Sequence, residues 1–522
     1  MSDSSVFERL QSSTMHAMEL DPDTCYKAIA SHDRRFDGRF FVGVSSTGVY
    51  CRPVCAVRTP KRENCTFYES AAAAEKHGFR PCLRCRPELA PGHGLADISG
   101  RLAQAAATLI DEGFMTGAGV AQLAARIGVT ERHLRRLFDT EFGVSVHEYA
   151  QTQKLLLAKR LLTDTTLTVT EVALAAGFGS VRRFNDVLKD RYGLTPLAMR
   201  RRAADGMADR LVFELGYRPP LAWAELLEFL AVRAIDGIDH CHGGVYSRTI
   251  AIESGGVRHA GWVRLEHVPK RTVVRVTLSA SLAHVIPQVL GRVRRLCDLG
   301  CRPDIVDAHL GDLAAATPGM RLPGTFDGFE IAVRAIVGQV ISVVHARRIL
   351  ARLVRMAGQA LPEGFMGGGT SPIGQPALTH LFPTAQSLAA LADADYQAVG
   401  VSIPKIRAIR ALAHRVASGD IALDAHATPE QTVAQLLEID GIGDWTAQYV
   451  AMRALGWPDA FPATDYALRK VLGVSTARAM QAKTAQWAPW RAYAAIHLWH
   501  RYELCKDGGN ARQDSDIEEQ AA

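Results

Sequence analysis

Hydrophobic and polar positions alternate along this chain in several distinct rhythms. From Arg101 to Arg202 the apolar residues recur at helical spacing, and two stretches repeat one degenerate pattern. "VAQLAARIGVTERHLRRLFDTEFGVS" starts at Val120 and "VTEVALAAGFGSVRRFNDVLKDRYGLTP" at Val169. Each reads as a short Ala-rich helix, a glycine turn (Gly128, Gly177) and a second helix bearing arginines. Leu134, Leu137 and Phe138, like Phe184, Val187 and Leu188, stand at i, i+3 and i+4 and form the expected buried face. A longer helix over roughly Val146 to Leu162 separates the copies. From about residue 209 the rhythm changes to the two-residue alternation of strands, in "RLVFELGYRPP", "GGVYSRTIAIESGGVRHAGWVRLEH" and "RTVVRVTLSASL". Beyond about Pro287 it becomes helical again, broken by a Gly/Pro-rich loop at 358–380. A Pro/Gly stretch, "PELAPGHG", reads as a linker at about 87–94.

No run of about 18 apolar residues occurs, so nothing is expected to span a membrane. The first twenty residues are polar and of mixed charge, without the apolar centre of a signal peptide, which predicts a cytoplasmic protein. At 522 residues the chain is too long for one ordinary core. A net charge of +6 is mild, but its distribution is uneven. Between Arg182 and Arg202 seven Lys or Arg face two Asp, a local surface suited to nucleic acid. The tail from Asp507 is acidic and polar and is expected to be disordered.

Ten cysteines in a chain without a signal argue against disulfides. Cys51-x3-Cys55 and Cys82-x2-Cys85 have the spacing of a four-thiolate zinc site, the alternative being unrelated buried cysteines. Cys65, between the pairs, is a spare thiol. In "DHCHGG", from Asp239, a lone Cys between two His reads as a loop rather than a metal cluster, and Cys297, Cys301 and Cys505 look incidental.

The residues around the pairs carry more. "FDGRFFVGVSSTGVYCRPVCAVRTPKRENCTFYESAAAAEKHGFRPCLRCRPE" closely resembles the N-terminal domain of the Ada family of alkylation-damage proteins. The resemblance implies one zinc held by Cys51, Cys55, Cys82 and Cys85, with Cys51 also accepting a methyl group from an alkylated DNA phosphate. The tandem helix pairs, above all "GFGSVRRFNDVLKDRYGLTPLAMRR", resemble the AraC-type DNA-binding domain. In each pair the second helix would enter the major groove, leaving Arg132, His133, Arg135 and Arg136, with Ser180, Arg182, Arg183 and Asn185, exposed toward DNA.

In the last third, "LLEIDGIGDWTAQYVAMR" places Gly441-Ile-Gly443 as a tight turn before a helix, a natural seat for a phosphate. With "FPATDYALRKVLG" and "WAPWRAYAAIHLWHRY" it resembles the helix-hairpin-helix DNA glycosylases of the AlkA, 3-methyladenine type, over about 209–503. By that resemblance Asp465 is the catalytic carboxylate, and Trp445, Tyr449, Tyr466, Trp499 and Phe229 line an aromatic base pocket. Val340 would be the wedge entering DNA, and the amides around Gly441 and Gly443 would grip phosphate, with a monovalent cation on hairpin carbonyls. Trp445 stands where related lyases carry a catalytic lysine, which implies a monofunctional enzyme. Three positions depart from the family: Asp440 replaces a Pro, His500 a Tyr, and Val340 a Leu. Read only as residues, Asp465 could be a helix cap and the aromatics core packing.

The expected fold is multidomain, mainly α with α+β parts. A zinc-binding methyl-acceptor domain at 20–90 precedes a DNA-binding domain with two helix-turn-helix units at 95–204. An α+β subdomain at 209–286 and an all-α glycosylase domain at 287–504 follow, then the tail at 505–522. The expected function is a fused alkylation-repair enzyme and damage-responsive transcription activator. Its partners would be double-stranded DNA and RNA polymerase, and it would work on the bacterial nucleoid. No cysteine lies in the "PCHR" context of alkylguanine methyltransferases, so repair of O6-alkylguanine is not expected. The competing expectation is a regulator whose glycosylase-like part binds DNA without excising bases.

Overall fold

The computed structural model describes residues 21–92, 101–116, 118–200, 210–362, 377–424 and 427–520. The polar segment behind the cytoplasmic expectation, most of the 358–380 loop, and Arg201 and Arg202 lie outside the described residues. No helix among those described is long and apolar enough to cross a membrane.

Helix α1 (Pro22–Ala30), capped by the Asp21 carboxylate, leads into a small sheet. Strands β1 (Phe41–Val44), β2 (Val49–Cys51), β3 (Cys65–Tyr68) and β4 (Arg80–Pro81) run in the order β3-β1-β2-β4, with helix α2 (Ala71–Lys76) between the last two. Pairing of Val42 with Cys51 fixes the register that brings Cys51 to the end of β2.

Helix α3 (Arg101–Asp111) opens the helical segment. The two repeats fold as α4 (Val120–Arg126) with α5 (Glu131–Phe142), and α7 (Val169–Ala175) with α8 (Val181–Tyr192). Between them runs α6 (Val146–Asp164), and short α9 (Pro196–Met199) follows. The second helices begin and end alike. Thr130 and Ser180 accept the first-turn amides, and Gly143 and Gly193 close the helices at φ 67° and 65°, the left-handed region glycine occupies at little cost. Leu134, Phe138, Phe184 and Leu188 are fully buried, with Leu137 and Val187 packed beside them.

A five-stranded antiparallel sheet follows: β5 (Arg210–Gly216), then, after helix α10 (Trp223–Val232), β6 (Asp239–His242), β7 (Val245–Ser254), β8 (Val257–Val268) and β9 (Val273–Ser279), ordered β5-β9-β8-β7-β6. The β7–β8 hairpin turns on Gly255 and Gly256, both at positive φ. The "DHCH" segment is therefore an edge strand, not a loop. Its Asp239 is buried and accepts from Ile235 N and Tyr246 Oη, needs that spacing alone does not reveal.

The C-terminal body holds α11 (Ile286–Leu296), α12 (Pro303–Leu310), α13 (Asp312–Ala315), α14 (Gly328–Gly338), α15 (Val343–Ala357), α16 (Ala385–Ala390), α17 (Asp393–Val399), α18 (Ile403–Ala417), α19 (Pro429–Leu437), α20 (Asp444–Arg453), α21 (Tyr466–Leu472), α22 (Ala477–Thr484) and α23 (Arg491–Gln520). Helix α23 runs on to Gln520, into the stretch expected to be disordered. Once the buried first half exists, each further residue adds a hydrogen bond without a new nucleation cost.

The cores do not follow the segments read from sequence. One joins Tyr50, Tyr68 and Ala71–Ala74 to the first helix pair. Another joins α6, α7 and α8 to the sheet through Leu211, Phe213 and Val276. Residues 87–92 of the stretch expected as a linker are packed between them. Glu88 is buried against Lys159 and Arg86, and the carbonyls of Pro91 and Gly92 accept from Arg294 (2.9 Å) and Arg218 (3.0 Å). At the crossing a Cβ on Gly216 would lie 2.2 Å from the Leu89 carbonyl oxygen, so only glycine fits.

Candidate functional site

Two reactive constellations emerge. In the first, β2, the loop after it and the turn beyond β4 bring the sulfurs of Cys51, Cys55, Cys82 and Cys85 within 4.8 Å of one another. Tetrahedral zinc–thiolate bonds of about 2.3 Å place sulfurs about 3.8 Å apart, so the donor set fits one zinc. Hydrogen bonds among the crowded thiols push Cys51 and Cys85 up and Cys55 and Cys82 down. Four thiolates in this volume require a cation among them. Cys51, Cys55 and Cys82 are buried and Cys85 half-buried. Arg52 braces the cluster: its amide points at Cys85 Sγ (3.4 Å), and its guanidinium reaches the Cys85 carbonyl (3.2 Å) and Asp37 (Nε–Oδ1 2.8 Å). Cys65 stays outside, donating to the Lys61 carbonyl.

The second lies where α20, α21, α23 and α10 converge. Asp465 caps α21, accepting from Leu468 N (2.9 Å) on Oδ1. The same oxygen accepts from Trp499 Nε1 (3.2 Å), and Oδ2 accepts from Trp445 Nε1 (2.8 Å). The cap bond and the two tryptophan bonds are thus one arrangement, which pins the half-exposed carboxylate in a single orientation. Trp445 stacks on Tyr449 (5.2 Å, 6°), Tyr449 meets Trp499 (6.1 Å, 60°), and Phe229 faces Trp499 (6.4 Å, 33°). Tyr466 stands apart, exposed at the start of α21.

Beside this cage the hairpin turns at Gly441 (φ 89°), and Gly443 caps α20, whose first-turn amides lack helical partners. Gln339 ties the loop that carries Val340 to the hairpin, donating to the Gly441 carbonyl and Thr446 Oγ1, both at 2.9 Å. Lys405 holds the same loop through the Val337 and Gln339 carbonyls at 2.8 Å. Val340 at its tip is wholly exposed and sits at φ 58°, a strained conformation for a β-branched side chain.

On the helix-turn-helix units Arg132, Arg135, Arg136, Arg182, Arg183 and Asn185 are exposed, and His133 half so. Arg135 is paired with Glu131 at 2.6 Å, and the Ser180 hydroxyl accepts from Arg183 N at 3.2 Å as the cap of α8.

Comparison with known proteins places these features. Residues 24–88 match the metal binding domain of Ada, 123–202 a helix-turn-helix domain, and 212–327 the AlkA N-terminal domain. Over 502 residues, 93% of this chain and 97% of its relative, the sequence is 38% identical to a probable bifunctional transcriptional activator/DNA repair enzyme AlkA of Mycobacterium tuberculosis. The chain belongs to this bifunctional AlkA family. Its last part is 34% identical to DNA-3-methyladenine glycosylase 2 of Escherichia coli, over 55% of this chain and 97% of that one. Its first part is 29% identical to the bifunctional transcriptional activator/DNA repair enzyme AdaA of Bacillus subtilis, over 35% of this chain and 84% of that one.

In this family member the sequence reading missed two cations behind the cage. The Arg233 guanidinium lies 3.8 Å from the Phe229 ring centre. Buried Arg453 donates to Tyr449 Oη (2.8 Å) and to the Gly324 carbonyl (3.0 Å). Burial pushes the Tyr449 phenol up, but the charges of Arg453 and Arg233 outweigh it and set the phenol below its ordinary value. Each arginine follows its aromatic partner by four residues on one helix face, a spacing visible in the sequence.

Proposed function

We propose that this bifunctional AlkA family member joins direct repair of DNA methylphosphotriesters to excision of alkylated bases of the 3-methyladenine class, and activates transcription in response to damage. The reading rests on one observation: Cys51 within a closed four-thiol cluster and Asp465 pinned beneath an aromatic cage occur in a single chain. Bound zinc supplies the charge that keeps the Cys51 sulfur a thiolate at neutral pH. That sulfur attacks the methyl carbon of the triester. The S–C bond forms, the C–O bond breaks with its electrons on oxygen, and a phosphodiester and a thioether result. The thioether removes one formal negative charge from the cluster, which eases repulsion from DNA phosphate. Arg132, Arg136, Arg182 and Arg183 then hold promoter DNA, with RNA polymerase as the downstream partner, inside the cell on the nucleoid.

For excision, Val340 enters the duplex, the α20 amides and Gly441 hold a phosphate, and hairpin carbonyls hold a monovalent cation. The flipped base stacks among Trp445, Tyr449, Trp499 and Phe229. As the glycosidic bond opens, Asp465 faces the growing positive charge on the sugar, and water completes the hydrolysis. With Trp445 in place of a nucleophilic lysine, no Schiff base forms.

One observation favours a second reading, a regulator that grips DNA without chemistry. Asp440 is exposed beside Gly441 and sets a negative charge near the expected phosphate. Incubation with methylated DNA separates the two: release of free 3-methyladenine is expected, and its absence at enzyme excess would leave the regulator.

A further inference from the structure

Helix α2, in the zinc-binding segment, touches the ends of both helix-turn-helix recognition helices at equivalent positions. Phe142 and Tyr192 are the last residues of the two 12-residue helices, each followed by a left-handed glycine. At one end of α2 the Ser70 hydroxyl caps the helix, accepting from Ala73 N (3.0 Å), and donates to the Phe142 carbonyl (2.8 Å). At the other end Glu75 receives the Tyr192 hydroxyl on Oε1 (2.8 Å).

The same Oε1 also receives the hydroxyl of Tyr50 (3.0 Å), the residue before Cys51 on β2. Oε2 receives Thr152 Oγ1 from α6 at 2.9 Å. Two tyrosines from distant parts of the chain therefore converge on a single oxygen. Tyr50 is itself tied to the cluster twice, by its bond to Cys51 and by its carbonyl, which accepts from Cys82 N at 3.0 Å. Tyr50, Glu75 and Tyr192 are all buried, so a displacement of any one has no solvent to absorb it. Burial pushes Glu75 up to about 7, and the hydroxyls of Tyr192, Thr152 and Tyr50 pull against that rise.

We propose that helix α2 is a mechanical relay that passes the methylation state of Cys51, through Tyr50 and Glu75, to the second recognition helix, while Ser70 holds the first. This rests on Cys51 being the methyl acceptor. When a thioether replaces the Cys51 thiolate, the ends of β2 and β4 must readjust. The shift reaches Tyr50 directly, and the oxygen it shares with Tyr192 is where the recognition helix feels it. The relay thus adds a change of helix position to the change of charge.

The test uses the zinc-loaded full-length protein, reacted with a duplex carrying one methylphosphotriester, then nuclease-treated and freed of DNA. Amide hydrogen exchange is read by peptide mass spectrometry, which also reports methyl gain on Cys51. In the wild type, exchange within 181–192 is expected to change about fivefold or more on methylation, the lower end of ordinary coupling. In Tyr192→Phe and in Tyr50→Phe, Cys51 still gains its methyl group, but the change in 181–192 is lost. Exchange in wild-type 181–192 that ignores methylation overturns the relay, as does a change that survives in both variants. Lack of methyl on wild-type Cys51 removes the acceptor reading, and the relay falls with it.

Discussion

Replacing Asp465 by Asn separates charge from shape. Asn caps a helix as well as Asp, so α21 is retained. The carboxylate, however, accepts from three donors, two on Oδ1 and one on Oδ2. An amide can place its oxygen on the two-donor side only by turning its NH2 toward Trp445 Nε1, donor against donor. That mismatch costs about 1–3 kcal/mol, but it is present with and without DNA and so falls on local stability rather than on binding or chemistry. The larger loss is electrostatic. A carboxylate about 4–5 Å from the developing sugar cation, at an effective dielectric near 20, contributes roughly 3–4 kcal/mol to the transition state. At 1.36 kcal/mol per decade this is a fall of about two to three orders of magnitude in rate. Single-turnover excision from a duplex with one alkylated purine measures the rate, and gel-shift on an uncleavable abasic analogue measures binding. Binding should weaken by about tenfold at most. An Asn variant that excises within about tenfold of the wild-type rate would refute the assignment of Asp465 and the electrostatic reasoning together.

Cys51→Ala is expected to abolish methyl uptake while leaving base excision intact, as mass spectrometry and the excision assay will show; methyl found instead on Cys85, the most exposed of the four thiols, would reassign the acceptor. Trp499→Ala removes one wall of the cage and one donor to Asp465, and should weaken capture of the flipped base by roughly 1–3 kcal/mol in competition binding. Glu75, pushed by burial from 4.5 up to about 7, holds a proton in the folded state that the unfolded chain gives up, so stability is lost as pH rises from about 4.5 to 7. For Glu75 the ceiling is about 3 kcal/mol, and thermal unfolding of Glu75→Gln at pH 5 and pH 7.5 should lose correspondingly less than wild type, because the amide has no proton to release.

What could be seen in the sequence was whatever depends on near neighbours. The cysteine pairs, the i, i+3, i+4 faces around Leu134 and Phe184, and the strand alternation from Leu211 each declare themselves within a dozen residues. Asp465 and the cage aromatics came from resemblance, since no local rule separates a catalytic Asp from a capping one, and the carboxylate that caps α21 here also receives both cage tryptophans. Tyr466, expected with them, points to solvent. Glu75 shows the limit best. In "AAAAEKHGF" it reads as the solvated charge of a short helix, yet it is buried by groups 25, 77 and 117 residues away. Arg218 is similar, fully buried because three carbonyls from separate segments, of Asp37, Gly92 and Gly300, meet around it. Such burial is decided by tertiary convergence, which pattern alone does not carry.

The core shared between α6–α8 and the five-stranded sheet bears on how this chain can be taken apart. Cutting at 201–209, the obvious seam on paper, would strip Leu155, Leu162 and Phe184 of partners on one side and Leu211, Phe213 and Val276 on the other. Each fragment would carry a raw apolar face, and expressed alone would be prone to aggregate. Deleting either half would leave the apolar face of the other uncovered, so regulator and repair enzyme stand or fall together as one folded body.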